Sequence, residues 1–156
     1  MTRDELARLR TVADYQFGAD AGAALFPPAD ADALTVTHST SGRPRQVRAE
    51  TGRVVSYGTD GRFTLGLEGG RRLVAALDAP RARVVVGSES EPFVREGKNV
   101  FAKFVRAVDH DVRPSDEVAV VHTDGSVLGV GRVELAADAM HDFETGMAVK
   151  VREGSD

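Results

Sequence analysis

"EPFVREGKNVFAKFV", residues 91–105, decides the fold. Ser88 or Ser90 stands where it could cap a short helix through "EPFVRE", and Gly97 follows in the position where helices stop in a left-handed residue. "NVFAKFVRAV" (99–108) then alternates as a strand. At the joint, Gly97-Lys98-Asn99 brings backbone N–H groups, a point charge and a side-chain amide to one corner. Phe101 and Phe104 lie three apart, so a regular strand would send them to opposite faces: one must be core, the other could be a stacking surface or pack on the neighbouring domain, and core packing is the expectation for both.

Outward from that corner the chain falls into two halves. "ARVVVG" (82–87) is an apolar β-branched strand, "VAVVHTDGSVLGVG" (118–131) a hairpin, Leu135, Ala139, Met140 and Phe143 one face of a helix ending at Gly146, and "MAVKVR" (147–152) a closing strand. The order β-α-β-β-β-α-β predicts a small mixed barrel with two short helices, residues 80–156. In residues 1–79, Thr2 and Glu5 have capping-box spacing before a helix over 3–14, and "LFPPADADA" (25–33) reads as a loop. Strands follow at 34–39 and 43–50, then a second Thr-Asp-Gly hairpin (54–67) and a short helix (71–80) stopped by Pro80. Both Asp-Gly pairs predict type I′ turns. The fold class is α+β, in two small domains.

Composition narrows the function. The chain is 42% hydrophobic and 28% charged, with no apolar run near the length of a membrane helix and no apolar core in "MTRDELARLR". The absence of cysteine removes disulfides and thiolate metal sites, and a reducing cytoplasm is expected. The net charge of −4 is uneven: residues 41–72 carry seven Arg against three acids, a net of +4, whereas residues 73–156 carry ten basic groups against fifteen acidic ones. Arg43, Arg45 and Arg48 in "RPRQVR" could pair phosphates, with Arg43, Arg45 and Val47 expected on one strand face.

No enzyme site is legible. The four histidines lack metal-site spacing, "GLEGG" (66–70) has the wrong flanks for a phosphate loop, and no G-x-S-x-G elbow is present. "DHD" (109–111) reads as a polar turn, although Asp109 and His110 remain the one place where an unrecognised enzyme could work.

The succession of helix, Gly97, strand, "RPSDEV" before the hairpin, the "LGVG" return strand and the Met140–Phe143–Gly146–Ala148-Val149 ending resembles a PUA domain, and "GKNVFAKFV" is especially similar to archaeal versions. "DYQFG" (14–18) and "STSGRPRQVRAETG" (39–52) resemble the small domain preceding PUA in archaeosine tRNA-guanine transglycosylases. The resemblance implies tRNA or other structured RNA as partner, with Arg95, Gly97, Lys98, Asn99 and Phe101 at the RNA surface and Lys150 and Arg152 beside them. Lys103, further along the strand, could widen the basic surface there, and Arg43, Arg45 and Arg48 remain separate candidates for phosphate contact. It also implies chemistry in a separate barrel with a catalytic aspartate and cysteine-held zinc, neither of which this chain supplies. The expectation is therefore a non-catalytic RNA binder, with no metal or cofactor, accessory to tRNA modification and working with a separate modifying enzyme. The alternative is a protein-interaction subunit whose partner makes most RNA contacts.

Overall fold

The computed structural model describes residues 2–143 and 145–156. It divides into two compact units, one ending at Leu77 and the other beginning at Asp78.

The first unit opens with α1 (Arg3–Phe17) and α2 (Ala21–Leu25). The Thr2 hydroxyl accepts the Glu5 N–H at 3.1 Å, but the Glu5 carboxylate turns to His38 at 3.0 Å, so only half of the capping box forms. Helix α1 runs three residues beyond the expected end because its last turn is put to use. Asp14 accepts the Gly22 N–H at 2.7 Å, and the Gln16 amide bonds both main-chain groups of Phe63 at 2.8 and 2.7 Å. Helix α2 escaped the sequence reading, since five residues of Ala, Gly and Leu carry no period. The expected loop at 25–33 contains a 3-10 turn, Pro28–Ala33.

Strands β1 (Thr35–His38), β2 (Pro44–Ala49), β3 (Gly52–Tyr57) and β4 (Phe63–Leu65) form one antiparallel sheet in that order. The row Val36–Val47–Val55–Leu65 is in register on one face and Thr37–Gln46–Ser56–Thr64 on the other, as period-two patterning requires. Between Thr37↔Gln46 and His38↔Pro44 the ladder slips, leaving Arg45 as the extra residue of a bulge. Arg45 therefore does not share the face of buried Val47, and the expected Arg43–Arg45–Val47 row is broken.

Helix α3 (Leu67–Ala76) starts four residues before the expected helix and includes Gly69-Gly70. A Cβ at Gly69 would stand 2.1 Å from the Val54 carbonyl oxygen. "GLEGG" is thus a close helix-to-strand approach rather than a turn.

The second unit contains β5 (Arg83–Val86), α4 (Glu91–Arg95), β6 (Val100–Phe101), β7 (Val105–Val108), β8 (Glu117–His122), β9 (Val127–Val133), α5 (Ala137–Asp142) and β10 (Met147–Gly154). Its sheet has the order β6-β10-β9-β8-β5-β7, with β5 and β8 parallel and the other pairs antiparallel. The two edge strands, β6 and β7, are consecutive in the chain and joined by the 3-10 turn Ala102–Phe104. That three-residue link curls the sheet into a nearly closed barrel, which removes exposed edges. Val84, Val86, Val118, Val120, Leu128, Val149 and their neighbours fill its interior.

The continuous strand expected over 99–108 is therefore two short strands around a turn. The alternation of "NVFAKFV" is consistent with either, and barrel closure selects the turn. Both Asp-Gly hairpins form, but not as type I′ turns. Only Gly61 (φ 81°) and Gly125 (φ 96°) are left-handed, while Asp60 and Asp124 each accept an amide two residues on, from Arg62 at 3.0 Å and Ser126 at 2.8 Å.

Candidate nucleic-acid interface

Gly97 adopts φ 87° at the end of α4. Its N–H bonds the Val94 carbonyl at 2.9 Å, and the Lys98 N–H bonds the Phe93 carbonyl at 2.9 Å. This paired arrangement is the Schellman cap. It corrects one element of the sequence reading, because the two amides expected to face a ligand are consumed by the cap. Neither serine caps the other end of α4 by its side chain; Ser90 makes no such bond, and the Ser88 hydroxyl meets His122 Nε2 at 2.9 Å. Nothing lies within 4 Å of a Cβ built on Gly97, so the corner itself is open.

Beside the corner lies a cleft of about 350 Å³ lined by Phe93, Phe101 and Phe104, floored by buried Ser90, Val94 and Val100, and rimmed by Glu89, Lys98 and Asn99. Phe93 is 53% and Phe101 44% exposed, so the expectation of a core role for Phe101 is overturned; Phe104 is half-buried. The 3-10 turn explains this, since it rotates Phe104 onto the side that Phe101 occupies. Phe93 was missed in the sequence, although its neighbour Val94 gives a usable signal. Val94 is 1% exposed, and a one-and-a-half-turn helix that buries Val94 turns Phe93 outward.

The Asn99 Oδ1 accepts the Val151 N–H at 3.0 Å, stitching the corner to β10. Its Nδ2 makes no hydrogen bond among the described residues and is left to donate. Lys98 is held only by a 3.9 Å contact with Glu96 and remains 64% exposed. Lys103 Nζ sits 5.0 Å from the Phe104 ring centre. Glu89 bonds Arg106 at 2.8 Å, and its own backbone N–H together with Arg106 holds its carboxyl below the usual carboxylate range.

Comparison with known proteins accounts for both halves. Residues 82–154 match the PUA domain, and residues 7–80 match the patch-forming domain C2 of tRNA-guanine transglycosylase. The chain's second half is a PUA domain. The chain is 44% identical over 144 residues to the tRNA-guanine(15) transglycosylase of Thermococcus kodakarensis, covering 92% of this chain and 24% of that protein. With the same enzyme of Methanothermobacter thermautotrophicus it shares 43% over 155 residues, 98% of this chain and 23% of the relative. The chain thus spans about a quarter of the length of these relatives. Among solved structures, a conserved PUA domain protein from Thermoplasma acidophilum superposes with a TM-score of 0.64 at 18% identity, covering 99% of this chain and 91% of that one. A hypothetical protein of Pyrococcus horikoshii gives a TM-score of 0.68 at 17% identity, over 99% and 92%. These two likenesses establish the fold.

The remaining cations sort by what holds them. In the PUA unit Arg95 is turned away from the cleft, bonding Glu91 at 3.1 Å and the Asp156 carbonyl at 2.9 Å. Arg152 forms a two-pronged pair with Glu117, whose side chain is 5% exposed, so the guanidinium compensates a buried charge. Lys150 is exposed on the same strand and makes no ion pair among the described residues. In the C2 unit Arg43 bonds the Gly58 carbonyl at 2.9 Å and lies 5.7 Å from the Tyr57 ring centre. Arg45 and Arg48 are exposed and make no ion pair among the described residues.

The other polar clusters serve the fold. Asp109 accepts the N–H of Ala82, a residue at φ 59°, at 2.8 Å and that of Asp111 at 2.9 Å, so its two oxygens brace turns. Ser88, His122 and Asp124 line up like a nucleophilic triad, with 2.9 and 3.1 Å contacts. The Asp124 backbone N–H also reaches Nδ1 at 2.9 Å and its carboxylate accepts the Ser126 N–H at 2.8 Å, so these contacts close the turn at 122–126. Among the described residues no group of three His, Cys, Asp or Glu could hold a metal, and no helix is long and apolar enough to cross a membrane.

Proposed function

We propose that this protein binds RNA through the aromatic cleft at the Gly97 corner, and that its natural ligand is a tRNA handled in a transglycosylase-type modification such as archaeosine formation. The observation that carries this reading is three phenylalanines, two of them about half exposed, grouped beside open Gly97 and Lys98 in a PUA domain. Solvent-facing aromatic rings next to a cation suit an unpaired base and its phosphate. The similarity to tRNA-guanine(15) transglycosylases supports tRNA over other structured RNAs.

In this reading Phe93 and Phe101 stack on a base, Lys98 neutralises a phosphate, and Lys103 adds a second charge. Gly97 contributes shape rather than amide donors: its left-handed turn brings Lys98 and Asn99 round to the cleft rim. Arg45 and Arg48 of the C2 unit meet further backbone phosphates, and Lys150 is a peripheral contact. Arg43, Arg95 and Arg152 are assigned instead to holding the surface in shape. The base-exchange step belongs to a separate catalytic partner, and the residues described here bind without reacting. A cytoplasmic location accords with that role.

A second reading has its own observation. Four of the ten cations of the PUA unit are held by carboxylates, Arg95 by Glu91, Arg106 by Glu89, Arg132 by Glu134 and Arg152 by Glu117. A protein partner would then provide most of the RNA contact.

Titration of a labelled tRNA transcript with the purified chain, repeated across salt concentrations, separates the two. Direct binding that weakens with salt and is lost in Lys98→Glu supports the first reading. Affinity that emerges only when the modifying enzyme is added supports the second. Base exchange by the chain alone, abolished in His110→Ala, would overturn the non-catalytic assignment.

A further inference from the structure

The aromatic cleft holds a polar group that the fold does not use. Ser90 is 7% exposed, stands at the start of α4 and lies on the cleft floor beside Val94 and Val100. A serine in that position ordinarily accepts a hydrogen bond from the second or third amide of the helix. Ser90 makes no such bond, for two reasons. Its backbone is helical (φ −91°, ψ −18°) where a capping residue is extended, and the second helical residue is Pro92, which has no N–H to give. No other group among the described residues takes the place of that partner: Ser90 makes only main-chain bonds, its N–H to the Gly87 carbonyl at 3.2 Å and its carbonyl from the Val94 N–H at 3.0 Å. Nor is the hydroxyl sealed in, since Glu68 Oε2 is the one side-chain atom among the described residues that is both enclosed and unpaired. The Ser90 hydroxyl is therefore unpaired yet reaches open space, and the opening that Ser90 lines is the cleft. A hydroxyl so nearly buried gives up most of its water without gaining a partner, a penalty that nothing in the fold offsets. On the rim, Asn99 Nδ2 is a second group left to donate.

We infer that the cleft is an insertion pocket rather than a stacking platform: one unpaired nucleobase enters edge first between the rings, and its polar edge bonds the Ser90 hydroxyl at the floor. The volume of about 350 Å³ lies at the lower end of ordinary ligand pockets, which suits a single base. A hydroxyl both donates and accepts, so it meets a ring nitrogen, a carbonyl oxygen or an amino group equally well. Ser90 thus selects for a polar edge without choosing among the four bases, and the cleft tells a base from an apolar ring of the same shape.

This inference rests on the RNA-binding reading and is tested separately from it. Hairpin RNAs share one stem and end in a single unpaired residue that carries adenine, uracil, difluorotoluene (an apolar ring of pyrimidine shape) or no base. Each is titrated against the full chain and its Ser90→Ala variant at one salt concentration. Because the hydroxyl bonds nothing in the fold, the variant keeps the barrel, and stacking on the rings is common to both proteins. The expected result is that Ser90→Ala weakens binding of the adenine and uracil RNAs about fivefold, near the worth of one neutral hydrogen bond, and leaves the difluorotoluene and abasic RNAs unchanged. Equal weakening of all four RNAs would make Ser90 a structural residue, and no weakening of any would leave its hydroxyl idle. Either result overturns the insertion while leaving RNA binding intact. If none of the four binds the unaltered chain, or if Phe101→Ala is without effect on all of them, the cleft is a surface for something other than RNA and both readings fall.

Discussion

Replacing Phe101 by alanine removes one ring from the cleft and leaves every cation in place. The residue is 44% exposed, so its truncation costs the barrel only about 1 kcal/mol, near half the value of a fully buried ring. A base stacked on an aromatic side chain is worth roughly 1–3 kcal/mol. At 1.4 kcal/mol per decade, Kd for RNA should rise about 5- to 150-fold. Stacking releases no counterion, so the slope of log affinity against log salt should stay as it is. Lys98→Gln is the complement: the ammonium is 64% exposed and weakly held, and removing it should reduce that slope by about 0.7 to 0.9. Fluorescence anisotropy of a labelled tRNA between roughly 50 and 200 mM salt reads both quantities. A Phe101→Ala protein with unchanged Kd, or with a slope altered as much as in Lys98→Gln, would refute the stacking assignment.

Three further outcomes follow from the geometry. Gly97→Ala should destabilise the 78–156 unit by about 1 kcal/mol through left-handed strain alone, because the site has room for a Cβ, and Gly97→Asn should cost less; urea midpoints followed by resonances of that unit check the order. Gly69→Ala should be worse, about 3 kcal/mol, since its Cβ meets the Val54 carbonyl, and resonances of the other unit should report the lower midpoint. Bonds from the Ser126 hydroxyl and amide hold the Asp124 carboxyl below its usual value, so the stabilisation is present above the ordinary aspartate range and is lost only as pH falls through the lowered one. The Ser126 amide shift should accordingly titrate with a midpoint below about 3.9.

How much of this was readable from the chain depends on which force set each element. The barrel strands at 82–87, 118–131 and 147–152 were legible because β-branched apolar runs and Asp-Gly turns are local signals. Helix α2 and the early start of α3 were not. Ala-Gly stretches have no period, and Gly69-Gly70 look like breakers until the Val54 backbone is known to lie against them. The same holds at the site. Gly97, Lys98 and Asn99 were singled out correctly as a corner, but the role of the corner was not, since the Gly97 and Lys98 amides belong to the helix cap. The cleft depends on the turn at 102–104, which barrel closure imposes and no local pattern encodes. Arg95 and Arg152 looked like phosphate ligands because a sequence lists cations without the carboxylates they meet.

The most direct test is ultraviolet crosslinking of the intact protein to tRNA, with the attachment sites located by mass spectrometry of the peptides. The account predicts adducts on the segment from Phe93 to Phe104, and their loss when Phe93 and Phe101 are both replaced by leucine. Efficient adducts confined to residues outside that segment, and indifferent to the double replacement, would contradict it.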